Sequence, residues 1–209
     1  LDFLSEFADR KTVLSNIKNW LQTRYEYLGM FHCCRPISVE SYYRDGIKTL
    51  DMSYANQLFE NIVRKNPAFS SVTSEHFKSA FDDMADSIER NGHVYFGLDD
   101  RFLKKYCPHY LKFGNEYLQA LAVRIDAEAN TNVKEFLQSN GKPTIFSANI
   151  PLSNINDEET DSLVSSIFTT WLYNHAHETS DSFLKSFGIS LTNDLKPEQI
   201  ITHFHPVVT

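Results

Sequence analysis

The chain has 209 residues, of which 42% are hydrophobic and 22% charged, with seven glycines and seven prolines; this composition excludes collagen-like, low-complexity and disordered classes and matches ordinary globular proteins. The formal net charge of -7 argues against a generally basic nucleic-acid surface, although a local cleft can carry the opposite sign. No apolar run approaches the roughly 18 residues of a bilayer span, and the acids within "LDFLSEFADRK" do not suit a secretory leader. Three cysteines, two of them adjacent at Cys33 and Cys34, form neither a disulfide framework nor a paired CxxC zinc site, so the expected setting is reducing, cytoplasmic and without a membrane. With no repeat, linker or like-charge block, one domain over residues 1–209 is expected, opened by a helical segment to about residue 27.

Phe3, Leu4, Phe7, Val13, Leu14, Ile17, Trp20 and Leu21 recur at three- and four-residue steps, which predicts one or two amphipathic helices over 3–25. "YLGMFHCC" then reads as a buried strand ending near His32. Ser38 is placed to cap a short helix through "VESYYRD", with Gly46 as its stop. Further helices are expected over 53–65, opened by Ser53, and 74–90, closed by Asn91 and Gly92. "HVYFG" is strand-like, and "PTIFSANIP", with β-branched and aromatic residues between breakers, is the clearest strand. Leu163, Val164, Ile167, Phe168, Trp171 and Leu172 mark a helix within 157–178, and "ITHFHPVV" can return as a last strand. Helices mixed with short, unevenly spaced strands indicate an α+β fold rather than a regular parallel array.

The chemistry-bearing residues stand in a definite order: His32 and Cys33–Cys34 at the end of a strand, Tyr95 within "VYF", Tyr106 within "KKYC", and Glu116 within "GNEYL". This His, Tyr, Tyr, Glu order resembles the ADP-ribosyltransferase superfamily of the diphtheria-toxin and poly(ADP-ribose)-polymerase type. The likeness spans roughly residues 29–125, extends more weakly to the strand near 143–150, and rests on short motifs. It implies an ADP-ribosyltransferase-like fold, a split antiparallel β core flanked by helices, with NAD as co-substrate.

Under that resemblance His32 bonds a ribose hydroxyl of NAD, and Cys33 and Cys34 hold the nicotinamide amide through backbone and side chain. Cys34 offers a thiol, a weaker donor than a serine or threonine hydroxyl. Tyr95 and Tyr106 are expected to sandwich the nicotinamide ring, a stacking that adds roughly 0.5–1.5 kcal/mol to area burial. Glu116 is the expected catalytic carboxylate, facing the positive charge that develops on the ribose as the glycosidic bond breaks. Arg35 is positioned to meet the pyrophosphate, with a surface ion pair as its alternative. Gly114 stands two residues before Glu116, where arginine-directed toxins carry glutamate or glutamine, so arginine is not the expected acceptor.

The same residues also admit a structural account. His32 and its cysteines suit a packed strand end, and Phe102, Leu103 and Tyr106 suit one face of a helix. Leu118, Leu121, Ala122 and Ile125 step at helical spacing, so Asn115 also reads as an N-cap with Glu116 in the first turn, where the family opens a strand.

The activity implied is mono-ADP-ribosyl transfer to a protein, RNA or DNA acceptor, since no polymer-binding domain is evident. By analogy with small toxin and defence effectors, an antitoxin is an implied partner. NAD glycohydrolysis, or NAD binding without turnover, would use the same pocket. Lys104, Lys105 and Lys112 are the basic residues available to a single-stranded acceptor. His175, His177, His203 and His205 are the alternative metal ligands, although the first pair reads more simply as favourable charge near a helix C-terminus, and no metal is expected. Neither a GxGxxG nor a Walker phosphate loop occurs, and there is no GxSxG elbow.

Overall fold

The computed structural model describes residues 9–85, 90–177 and 187–208. These form a mixed α+β fold with nine described α-helices and a five-stranded antiparallel sheet. Helix α1 (Arg10–Arg24) occupies most of the first expected helical segment; the part of that expectation before residue 9 lies outside the described residues. Asp9 caps it by accepting from the Thr12 amide at 2.9 Å, satisfying one of the donors that a helix start leaves open.

Strand β1 (Tyr27–Cys34) follows, as expected from "YLGMFHCC". Helix α2 (Glu40–Asp45) ends at Gly46, whose φ of +83° closes the turn, and a Cβ there would lie 2.0 Å from the Leu195 carbonyl oxygen. The expected cap at Ser38 is corrected: its hydroxyl donates to Glu40 Oε2 at 2.6 Å, and the helix begins after Val39. In α3 (Met52–Arg64) the cap is Asp51 rather than Ser53, because the Asp51 carboxylate accepts from the Tyr54 amide at 3.0 Å. Helix α4 (Ser74–Met84) is closed into a capping box by Thr73 and His76; residues 86–89, where the expected helix would continue, lie outside the described residues.

Strand β2 (Val94–Gly97) leads into four helices that the spacing only partly revealed: α5 (Asp100–Tyr106), α6 (Pro108–Phe113), α7 (Glu116–Ala129) and α8 (Val133–Ser139). Asp126 of α7 anchors the start of α8 by accepting from the amides of Val133 and Lys134 and from the Thr131 hydroxyl. Strand β3 (Thr144–Pro151), helix α9 (Asp157–His177) and strands β4 (Gly188–Leu191) and β5 (Ile200–Phe204) complete the chain. Residue 178, the last of the expected helical span, lies outside the described residues. The strand "GISL" lies outside the expected set, because the alternation of Ile189 and Leu191 with Gly188 and Ser190 covers only four residues. None of the described helices is long and apolar enough to cross a membrane.

The strand order is β4-β2-β1-β3-β5, which puts β1 at the centre. It pairs with β3 along its whole length, from Tyr27 opposite Pro151 to Cys34 opposite Thr144. Toward β2 the ladder is one pair, Phe31 opposite Gly97. Gly97 suits that junction because a Cβ would lie 2.8 Å from the Leu103 side chain.

One face of the sheet carries the main core: Met30, Cys34, Phe96, Phe146, Ala148 and Ile189, covered by Leu21 of α1 and Leu163 of α9. The alternation of a strand sends Cys33 and Ile145 to the other face, against Leu111 of α6. A separate apolar cluster joins α3, α4, α7 and α8 through Phe59, Phe77, Leu121, Ala122, Ile125 and Leu137.

Candidate functional site

A cavity of about 420 Å³ opens where the sheet meets this helical cluster, beside the single-pair junction of β1 and β2. Its size falls in the ordinary range for a small-molecule pocket, roughly 300–1,000 Å³. His32, Cys33, Tyr95 and Glu116 all line it. Phe31, Phe102 and Tyr110 add aromatic surface to the walls.

His32 sits where the ladder to β2 gives out. Its Nδ1 lies 3.0 Å from the carbonyl oxygen of Tyr95, so this nitrogen carries the proton and donates. Burial disfavours the charged ring and lowers its pKa, while the Tyr95 carbonyl opposes the shift. The neutral ring therefore presents unprotonated Nε2 as an acceptor. Phe96 supports it from the core side, with ring centroids 5.5 Å apart.

Tyr95 follows from strand alternation: Val94 and Phe96 turn into the core, and Tyr95 turns the other way and stays 42% exposed. Its ring lies nearly parallel to that of His93, 6.3 Å away. Tyr106 is placed differently. It is 55% exposed at the end of α5, packs on Phe102 at 4.8 Å and lies under Lys105 Nζ. Tyr106 is not among the residues that line the cavity, whereas Phe102 and Tyr110 are. The aromatic lining residues nearest Tyr106 in sequence stand four positions to either side of it, Phe102 one turn back on helix α5 and Tyr110 across the Cys107–Pro108 break between α5 and α6.

Glu116 is brought in by a tight turn between helices. Gly114, with φ +94°, ends α6 by donating its amide to the Tyr110 carbonyl at 2.9 Å. Asn115 then caps α7 by accepting from the Leu118 amide at 2.7 Å. Glu116 is thus the first residue of a helix, where its negative charge is favoured by the helix dipole. Its two carboxylate oxygens have different partners: Nε2 of His109 lies 3.0 Å from Oε1, and the Arg90 guanidinium pairs with Oε2. Burial, and next the charge of Arg90, hold the His109 pKa below the ordinary value. His109 is therefore a neutral donor to the carboxylate. It is absent from the cavity lining, to which Arg90 belongs.

The cysteines divide between the faces of the sheet. Cys33 touches the cavity but packs with Leu111 and Ile145, and burial raises its thiol pKa strongly. Cys34 lies in the main core beside Tyr42, away from the cavity lining, with its pKa pushed up to about 12 by burial. Arg35 turns away as well. Its Nη1 donates to the Leu111 carbonyl at 2.9 Å, Nε to Asn140 at 3.2 Å, and Nη2 to Gln138. These carbonyls belong to the C-terminal ends of α6 and α8, which otherwise lack partners. Arg35 is neither a cavity residue nor a surface ion pair, but a bracket between two helix ends.

The other histidines serve local contacts. His203 lies 2.8 Å from the Tyr43 hydroxyl, and His205 Nδ1 lies 3.0 Å from the Pro143 carbonyl. On α9, His175 stacks on Trp171 and His177 on Tyr173. No group of three or more side chains able to hold a metal ion occurs among the described residues.

Arg90 and Tyr110 on the cavity wall, and His109 behind Glu116, are residues that sequence reasoning missed. His109 lies seven positions before Glu116, a separation equal to two helical turns, but the break at Gly114 removes any helical meaning from that spacing. Arg90 is 26 positions away and reaches Glu116 only through the fold.

Comparisons with protein-family models, with curated proteins and with solved structures find no match.

Proposed function

We propose that the protein is a mono-ADP-ribosyltransferase that moves ADP-ribose from NAD to a protein or nucleic-acid acceptor. The observation that carries this proposal is the meeting of His32, Tyr95 and Glu116, from β1, β2 and the start of α7, on the wall of one cavity. Three groups 84 positions apart in sequence, from 32 to 116, thereby surround a space of small-molecule size.

In this mechanism His32 Nε2 accepts a ribose hydroxyl, since Nδ1 is committed to Tyr95. Tyr95 offers its exposed face to the nicotinamide, and Phe102 and Tyr110 supply further aromatic surface in the same cavity. The bond between ribose C1′ and the nicotinamide nitrogen breaks with its electron pair leaving on the base. Glu116 faces the positive charge that develops on the sugar and stabilises the transition state more than the ground state. The acceptor nucleophile then bonds to C1′ and gives up its proton. A toxin or defence role, an antitoxin partner and a cytoplasmic site of action belong to the same proposal by analogy only.

A second reading, NAD binding without turnover, is favoured by one observation: the Glu116 carboxylate already holds Arg90 and His109. NAD labelled on its adenylate half, incubated with the protein and a cell extract beside Glu116→Gln, separates the readings. Macromolecular label that needs Glu116 is the expected result, and protease or nuclease digestion then assigns the acceptor class. Free ADP-ribose alone would mean a glycohydrolase. Binding without either product would leave a binding module, and absence of NAD binding would overturn the proposal.

A further inference from the structure

The two partners of Glu116 are not equivalent. His109 approaches Oε1 from outside the cavity lining, on the same helical hairpin that carries the glutamate. Arg90 approaches Oε2 from the cavity wall. Among the described residues lining the cavity, Arg90 and Lys48 carry the permanent positive charges, and Lys48 is engaged 3.0 Å from Asp194. Arg35, the other arginine near β1, gives three nitrogens to main-chain carbonyls and lies outside the lining.

We propose that Arg90 is the phosphate-binding residue of this cavity, and that a phosphate- or diphosphate-bearing ligand takes its guanidinium away from Glu116. The proposal rests on the NAD reading of the same site and adds to it the residue that recognises the anionic part of the ligand. Guanidinium binds carboxylate and phosphate with the same forked geometry, so one can replace the other on Arg90 without loss of hydrogen-bond direction. His109 makes the exchange feasible. A half-buried carboxylate that loses all its donors is disfavoured, but Oε1 keeps the His109 bond when Arg90 leaves Oε2. Departure of the guanidinium also removes one of the two influences that depress His109, which strengthens its interaction with the carboxylate. The freed Oε2 is then open to the ligand's sugar. Ligand charge and exposure of the carboxylate are coupled through a single side chain.

The test measures binding by calorimetry for ADP-ribose, inorganic pyrophosphate and the phosphate-free nicotinamide riboside, in wild type, Arg90→Gln, Arg90→Lys and Glu116→Gln. Arg90→Gln is expected to weaken ADP-ribose and pyrophosphate by about ten- to a hundredfold and to leave nicotinamide riboside within about twofold. Arg90→Lys should fall between, because it keeps the charge and loses the fork. Glu116→Gln is expected to tighten pyrophosphate by about three- to tenfold, since Arg90 no longer has a carboxylate to leave. That direction is opposite to general damage of the site, so it reads the exchange even if Arg90→Gln folds poorly. Equal weakening of all three ligands in both Arg90 variants, or no tightening by Glu116→Gln, would overturn the assignment while leaving NAD turnover to its own test. Arg90-dependent pyrophosphate binding without affinity for NAD or nicotinamide riboside would uphold the anion site and sink the NAD reading. If wild type and Glu116→Gln bind none of the ligands, both fail.

Discussion

The ring of His32 replaces part of a β-ladder: its Nδ1 donates to the carbonyl oxygen of Tyr95 at 3.0 Å, beside the one residue pair that joins β1 to β2. A side chain therefore closes the sheet where main-chain pairing stops. The same bond sets the tautomer that the cavity sees, with Nε2 left as an acceptor.

Substitution of His32 separates these two roles. Asparagine can place an amide N–H near the position of Nδ1, whereas alanine leaves the Tyr95 carbonyl without its partner. His32→Ala is expected to lose about 1–2 kcal/mol of stability in urea unfolding, and His32→Asn about half of that. If the proposed transfer takes place, both should lose it, since neither keeps Nε2. Equal stability of the two variants would show that the bond to Tyr95 contributes nothing.

Stability should also fall in mild acid. Burial lowers the pKa of folded His32, so below the ordinary value of about 6.5 the unfolded chain takes up a proton that the folded chain refuses. The contribution is complete above about pH 6.5 and is lost as pH falls toward the depressed folded value. His109, shifted the same way, adds to the slope. The urea midpoint is expected to drop between about pH 7 and about pH 5.5, less steeply in His32→Asn. An unchanged slope in that variant would remove His32 from the account.

Arg35 should behave as a structural residue. Arg35→Ala leaves the carbonyls of Leu111, Gln138 and Asn140 without their shared donor, at an expected cost of about 2–3 kcal/mol. Lysine should recover only part of this, because one ammonium cannot reproduce the planar spread of the guanidinium. Any affinity for NAD, as the proposed function requires, should stay within about twofold of wild type in Arg35→Lys. A tenfold loss of affinity with unchanged stability would return Arg35 to the phosphate-binding role expected from sequence.

The cysteines predict an order of chemical modification. Burial raises all three thiol pKa values, most strongly at Cys33, with Cys34 at about 12. Cys33 and Cys34 are buried in packed clusters, while Cys107 is half-buried at the break between α5 and α6. Alkylation near pH 8 should mark Cys107 first and reach the other two only on unfolding, as read by peptide mass spectrometry. Labelling of Cys34 at the rate of Cys107 would contradict its place in the core.

Much of the fold was legible because periodicity reports burial. "YLGMFHCC", "HVYFG" and "PTIFSANIP" became β1, β2 and β3, and the helices expected over 3–25, 53–65 and 157–178 are, over their described residues, Arg10–Arg24, Met52–Arg64 and Asp157–His177. Helix starts were less legible. Ser38 and Ser53 were plausible caps, but at α3 the nearby carboxylate of Asp51 takes the amide, and at α2 Ser38 bonds the Glu40 side chain instead. The strand Gly188–Leu191 was not legible because its alternation covers only four residues, and its pairing with β2 fixes it in the sheet.

The sequence by itself determined the α+β class and the strands that carry His32 and Tyr95, and at Glu116 it offered a capped helix start, which the structure adopts, beside the strand start that the family resemblance implies. Each of these is local, written in alternation, helical spacing and the chemistry of Gly114 and Asn115. Tertiary structure alone decided which side chains share the cavity. It put Cys34 in the core and Tyr106 outside the lining, turned Arg35 onto two helix ends, and brought Arg90 and His109 to the two oxygens of Glu116. The reason is that a motif specifies residue type and spacing along the chain. The direction of a side chain and its partners across 26 or 105 positions depend on how sheet and helices pack.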